Sequence, residues 1–135
     1  MTMLASGSFD VKLAPQPHDD DDGTRGRLSI EKQYQGDLEA TAKGQMLTGL
    51  TDVKNSAGYV AIERVTGSLK GRRGGFLLQH SGTMTRGQQQ LTVTIVPDSG
   101  SSELKGIAGQ MTITIESGAH RYELTYSLPE EPSAG

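Results

Sequence analysis

Apolar side chains recur along this chain with a period of two, and the alternating runs are interrupted by glycine-rich or polar segments at intervals of about ten to fifteen residues. The pattern predicts eight strands, over residues 4–13, 25–34, 38–47, 59–70, 76–84, 90–96, 110–116 and 120–128. Threonine, valine and isoleucine gather inside these runs, where branched side chains suit a pleated surface. Helix has little room. The segment 99–107, in which Ser-Gly-Ser-Ser precedes Glu103-Leu104-Lys105-Gly106, is expected to form one helical turn and no more. Residues 14–23 are polar, proline-broken and acidic, and 129–135 form a small polar tail. Both are expected to be mobile margins of a single domain spanning residues 1–135.

Short glycine-containing turns predict antiparallel hairpins between strands four and five, five and six, and seven and eight. With Arg72 and Arg73 as the turn residues of the first hairpin, Val65 faces His80, and Glu63 lies diagonally beside it on the same face. With Arg86 and Gly87 turning the next, His80 faces Val93 and Leu78 faces Ile95. The same alternation sets Met111, Ile113 and Ile115 beside His120, Tyr122, Leu124 and Tyr126. One face therefore collects Tyr59, Ala61, Glu63, Val65, Phe76, Leu78, His80 and Val93, while the other is rich in threonine, serine, arginine and glutamate. Val60, Ile62 and Leu77 interrupt that polar face and are expected to mark a homodimer contact. With hairpin connections and hardly any helix to cover a sheet, the architectures left are a sandwich or a closed barrel. Eight strands of this length favour a barrel wide enough to hold its own side chains or one small ligand.

Composition narrows the functions. The 135 residues include no cysteine, which excludes disulfides, thiolate metal sites and a cysteine nucleophile. A formal net charge of −3 gives no reason to expect nucleic acid. No apolar run approaches the roughly 20 residues of a membrane-spanning helix, and the first residues lack the blocks of a signal peptide. A cytoplasmic location is the resulting expectation.

Five ordered motifs carry a resemblance: Tyr34-Gln35-Gly36-Asp37-Leu38-Glu39; residues 59–67 as Tyr-Val-Ala-Ile-Glu-Arg-Val-Thr-Gly; Gln79-His80-Ser81-Gly82; Val96-Pro97-Asp98-Ser99-Gly100 with Glu103, Leu104 and Gly109; and residues 120–129 as His-Arg-Tyr-Glu-Leu-Thr-Tyr-Ser-Leu-Pro. Together they resemble an uncharacterised bacterial domain-of-unknown-function family over nearly the whole chain. That family is similar in fold to the allene oxide cyclase-like barrels, which include plant dirigent proteins. The resemblance implies an all-β, eight-stranded antiparallel closed barrel, allene oxide cyclase-like or lipocalin-like, with a cavity at one end and a dimeric state. It supplies no reaction. The chain departs from the family pattern at Ser101 and Ala40.

Glu63 and His80 are the most informative pair, because a carboxylate aimed into an apolar interior is costly unless it is partnered. The pair reads either as general base and acid toward a small ligand or as a buried contact that fixes strand register. Lys32 joins them if Leu28, Ile30 and Tyr34 point inward. His120, Tyr122 and Tyr126 form a second inward polar set, able to orient a ligand or to plug a barrel end. Glu103 closes a serine-rich loop that reads as an anion site folding over the barrel mouth or as a plain turn. No cofactor motif is present, and the histidines and Glu63 lack metal-ligand spacing. The acidic run from His18 to Gly23 fails calcium-loop grammar, with Arg25 where glycine is required. The leading expectation is a barrel binding a small hydrophobic or carboxylate-bearing molecule through Tyr59, Glu63, His80, Glu103, His120, Tyr122 and Tyr126. The alternatives are an isomerase or cyclase using Glu63 and His80, and a structural or dimerising module.

Overall fold

The alternating segments form nine β-strands in a computed structural model that describes residues 2–18 and 22–129. In chain order they are β1 (Met3–Pro15), β2 (Arg25–Gly36), β3 (Leu38–Leu50), β4 (Ala57–Leu69), β5 (Arg72–Thr85), β6 (Gln88–Ile95), β7 (Ser101–Ser102), β8 (Ala108–Glu116) and β9 (Ala119–Ser127). All pairings are antiparallel. The order β4-β3-β2-β1-β9-β8-β6-β5 closes on itself through β4 and β5, and β7 adds a short edge to β5. The eight long strands are the expected barrel. β1 runs two residues into the acidic segment, pairing Ala14 with Ser29 and Pro15 with Leu28. Asp19 to Asp21 and the tail beyond Pro129 lie outside the described residues.

Three two-residue turns organise the sheet. Lys70-Gly71, Arg86-Gly87 and Ser117-Gly118 each place two successive residues at positive φ, 47° and 84°, 47° and 93°, and 49° and 81°. This is the type I′ geometry whose twist matches that of the strands it joins. The β5–β6 register is the expected one, with His80 opposite Val93 and Leu78 opposite Ile95. In the β4–β5 hairpin the turn falls two residues earlier than expected, at Lys70-Gly71, because glycine there accepts the second left-handed position. Val65 therefore faces Phe76, and His80 faces Ala61. The displacement is even along each strand, so every side chain keeps its face.

The expected helical turn is absent. Ser101 and Ser102 pair with Gly75 and Gly74. Three turns then follow, in which the amides of Leu104, Lys105 and Ile107 bond the carbonyls of Ser101, Ser102 and Leu104. Ser102 and Gly106 take positive φ, 53° and 83°, which breaks any helical run. The loop drives Leu104 and Ile107, each 1% exposed, into the barrel end where β1 begins and β4 finishes. That end is closed by the same core that holds Leu38, Leu69, Phe76 and Tyr126.

The opposite end is different. β6 and β8 pair only through Val93 with Met111 and Thr94 with Gln110. Beyond these two pairs, toward Gln88 and Glu116, the strands have no further partner in each other, and the wall carries a slit. Inside the barrel, β3 presents Leu38, Ala40, Ala42, Gly44 and Met46 inward, and the three small residues among them, Ala40, Ala42 and Gly44, give room to the long side chains of β2 and β4. A Cβ on Gly44 would meet the Ile62 carbonyl oxygen at 2.0 Å and the Glu63 Cα at 2.6 Å. Gly44→Val is expected to cost about 1–3 kcal/mol of stability by overpacking. Gly118→Asn, at an open left-handed turn position, is expected to stay within about 0.5 kcal/mol. Urea unfolding followed by circular dichroism measures both.

Candidate functional site

Alternation along β2 turns Ile30, Lys32 and Tyr34 inward, and alternation along β4 and β5 turns Glu63 and His80 toward them. The carboxylate of Glu63, 0% exposed, sits at the centre of this group. Its Oε1 accepts a hydrogen bond from the Tyr34 hydroxyl. Its Oε2 lies 2.9 Å from the Lys32 ammonium, whose side chain is itself 6% exposed. The ammonium also stands 4.7 Å over the Phe9 ring, a cation–π contact in a dry setting. His80 Nε2 is 3.6 Å from Oε2, an electrostatic neighbour rather than a hydrogen-bond donor, and it is buried without a hydrogen-bond partner.

Burial pushes the Glu63 carboxyl up. His80, Lys32 and Tyr34 outweigh that push and hold the group below its ordinary value of 4.5, in the ionised form. Tyr34 moves far upward, driven by burial and by the adjacent carboxylate, so its hydroxyl stays a proton donor. Chemically, this is a charge-balanced ion pair with a neutral donor and an imidazole at its side. Among the described residues no group of three or more His, Asp or Glu side chains is placed to hold a metal ion.

The other sequence-derived candidates are distributed rather than convergent. The Tyr122 hydroxyl accepts from the Leu38 amide at 2.9 Å and donates toward the Gln35 carbonyl at 2.9 Å, which ties β9 to the β2–β3 turn. Its ring meets the Tyr34 ring edge-on at 5.6 Å. Tyr126 is buried at the closed end. Glu103 is also at that end, away from the mouth: its amide bonds the Arg73 carbonyl and its carboxylate accepts from the Arg73 amide. His120 packs against Phe9 with ring centroids 5.1 Å apart. Val60 and Ile62 are exposed on the outer face and Leu77 is half-buried.

The open end holds a pocket of about 360 Å³ between β3, β4, β5 and β6, lined by Met46, Leu50, Tyr59, Met84 and Leu91 among others. Of the seven sequence-derived ligand residues, Tyr59 alone lines it. Tyr59 pairs with Gly82 across β4 and β5, and its ring lies on that glycine so closely that a Cβ there would sit 2.5 Å from it. Glu63 and His80 lie deeper along the same strands. Sequence reading missed Tyr34 as a partner of the carboxylate and Phe9 as the ring beneath the Lys32 ammonium, although the alternation that turns Lys32 inward also turns Tyr34 inward.

Removing one partner of a buried ion pair strands the other, so Glu63→Gln and Lys32→Met are each expected to cost about 3–5 kcal/mol, and the double variant less than their sum. Because the folded-state value of Glu63 is depressed, its contribution is fully present above pH 4.5 and lost as pH falls through the lower folded-state value. Urea midpoints across pH 3–7 should show this acid limb in the parent protein, and Glu63→Gln should flatten it.

Comparison with known proteins bears out the motif resemblance. A family model described as a protein of unknown function, DUF3224, matches residues 5–126. A crystal structure of a protein of unknown function from that family, from Shewanella oneidensis MR-1, is 46% identical, covers 97% of this chain and 100% of its own, and superposes with a TM-score of 0.92. No functionally curated protein matches the chain. Among the described residues no helix is long and apolar enough to cross a membrane. With the match spanning almost the whole barrel, this chain belongs to the DUF3224 family.

Proposed function

We propose that this protein binds a small hydrophobic molecule in the pocket at the open end of its barrel. The observation that carries the reading is a mismatch between direction and exposure. Leu50 and Leu91 occupy inward-facing strand positions and yet are 56% and 43% exposed, at the rim of the 360 Å³ pocket. Inward-facing leucines left about half wet forgo burial worth roughly 1 kcal/mol each, and a ligand in the pocket restores part of it. The volume falls in the usual range of about 300–1,000 Å³ for small-molecule sites.

The acid–base alternative has less support. An effective general base is accessible to substrate and poised near the working pH. Glu63 is sealed from solvent, held ionised by its neighbours and already engaged by Tyr34 and Lys32. Those features suit a fixed internal contact better than proton transfer to a ligand in the mouth. The dimerising reading rests on exposed Val60 and Ile62, with half-buried Leu77 and with exposed Leu47 paired to Val60 on the same outer face.

Fluorescence titration with Nile red tests the proposal. Saturable binding at one site per chain is expected. Ala57→Trp, which fills the pocket from β4, should weaken it at least tenfold with the circular dichroism spectrum unchanged. Absence of saturable binding, or equal affinity in that variant, would exclude the pocket as the site.

A further inference from the structure

Resting on the binding reading above, we infer that the mouth pocket selects an uncharged ligand, an apolar molecule bearing a single neutral oxygen group that the Tyr59 hydroxyl contacts. The lining contains methionine, leucine, alanine, glycine, threonine, glutamine and Tyr59, with no Asp, Glu, Lys, Arg or His among its residues. A carboxylate or ammonium drawn into such a space loses part of its hydration and meets no countercharge to offset the loss. The charges that the barrel does hold inside are committed to one another, with Lys32 against Glu63 at 2.9 Å. The carboxylate-bearing ligand expected from the sequence therefore finds no cation in the pocket to receive it.

The neutral oxygen has a specific partner. Tyr59 is half-buried, its ring is fixed across Gly82, and its hydroxyl has no hydrogen-bond partner among the described residues. Burial, and then the buried Glu63 carboxylate, push its ionisation upward, so the hydroxyl remains protonated and available through the physiological range. Thr48, Gln89 and Gln90 add neutral polar groups to the same wall. A hydroxyl or carbonyl is matched by such donors and acceptors, whereas an ion is not.

Chain-matched competitors separate the possibilities. Octanol, octanoate and octylammonium are titrated against bound Nile red at pH 7.4. Octanol is expected to displace the dye at concentrations at least tenfold below either ion. Tyr59→Phe should weaken octanol about two- to tenfold, the effect of one hydrogen bond, with each competition corrected for the variant's own affinity for the dye. Thr48→Lys should move the preference toward octanoate. Octanoate or octylammonium competing as well as octanol, or octanol indifferent to Tyr59→Phe, would overturn this inference and leave the pocket reading intact. Failure of all three to displace the dye would also overturn this inference alone, whereas failure of Nile red to bind would overturn both.

Discussion

A carboxylate held inside a dry β-barrel dictates much of what surrounds it. Glu63 has no exposure, and leaving its charge without a partner there costs about 3–5 kcal/mol, a large share of a domain's net stability. Lys32 must therefore point inward, which fixes the face of β2. A slip of one residue along β2 would carry Lys32 to solvent and leave Glu63 stranded. Room for the two long side chains comes from Ala40, Ala42 and Gly44 on the intervening β3, and Tyr34 and Phe9 cover the remaining sides. Such a pair contributes little net stability over an apolar replacement, yet it penalises every register in which one partner is missing.

This interior charge divides the barrel into regions with different work. On one side lies a conventional core, sealed by Leu104 and Ile107 from the loop after β6. On the other, the inner face turns apolar and wet, with Tyr59 between the mouth and the buried polar group. The polar residues that look convergent in sequence are spread over this axis: Tyr122 and Tyr126 toward the sealed end, Glu103 outside it, Tyr59 at the mouth. Several of them serve the fold. Tyr122 in particular fastens the β2–β3 turn through both Leu38 and Gln35.

The fold was largely legible because parity is robust. The β4–β5 turn lies at Lys70-Gly71 instead of Arg72-Arg73, an error of two residues per strand, and Glu63 and His80 still share the inner face. Alternation also turned Lys32 inward once Ile30 did. What alternation does not encode is the β2–β3 connection. Its conformation depends on Gly36 at a φ of 104° and on a hydroxyl 84 residues away in sequence from the amide it fastens. Tyr34, next to that turn, was consequently the partner of Glu63 that went unread. The pocket was legible only through the family resemblance, as a cavity at one end; its lining comes from the ends of β3, β4, β5 and β6, and how far strands splay there has no signature in residue type.

The slit between β6 and β8 has a further consequence for solubility. Closed barrels are the β architecture that abolishes strand edges, and a seam of two residue pairs restores two short ones, along Gln88 to Thr92 and Thr112 to Glu116. Each carries unpaired backbone groups able to template another strand, and the second alternates threonine with isoleucine, a sequence well suited to it. The hazard is limited by geometry. Both edges are only a few residues long and flank the same narrow gap, so an incoming chain must enter the slit to pair with either one. Containment of aggregation thus falls to the shape of the opening together with the exposed charge of Glu116 at the end of the second edge.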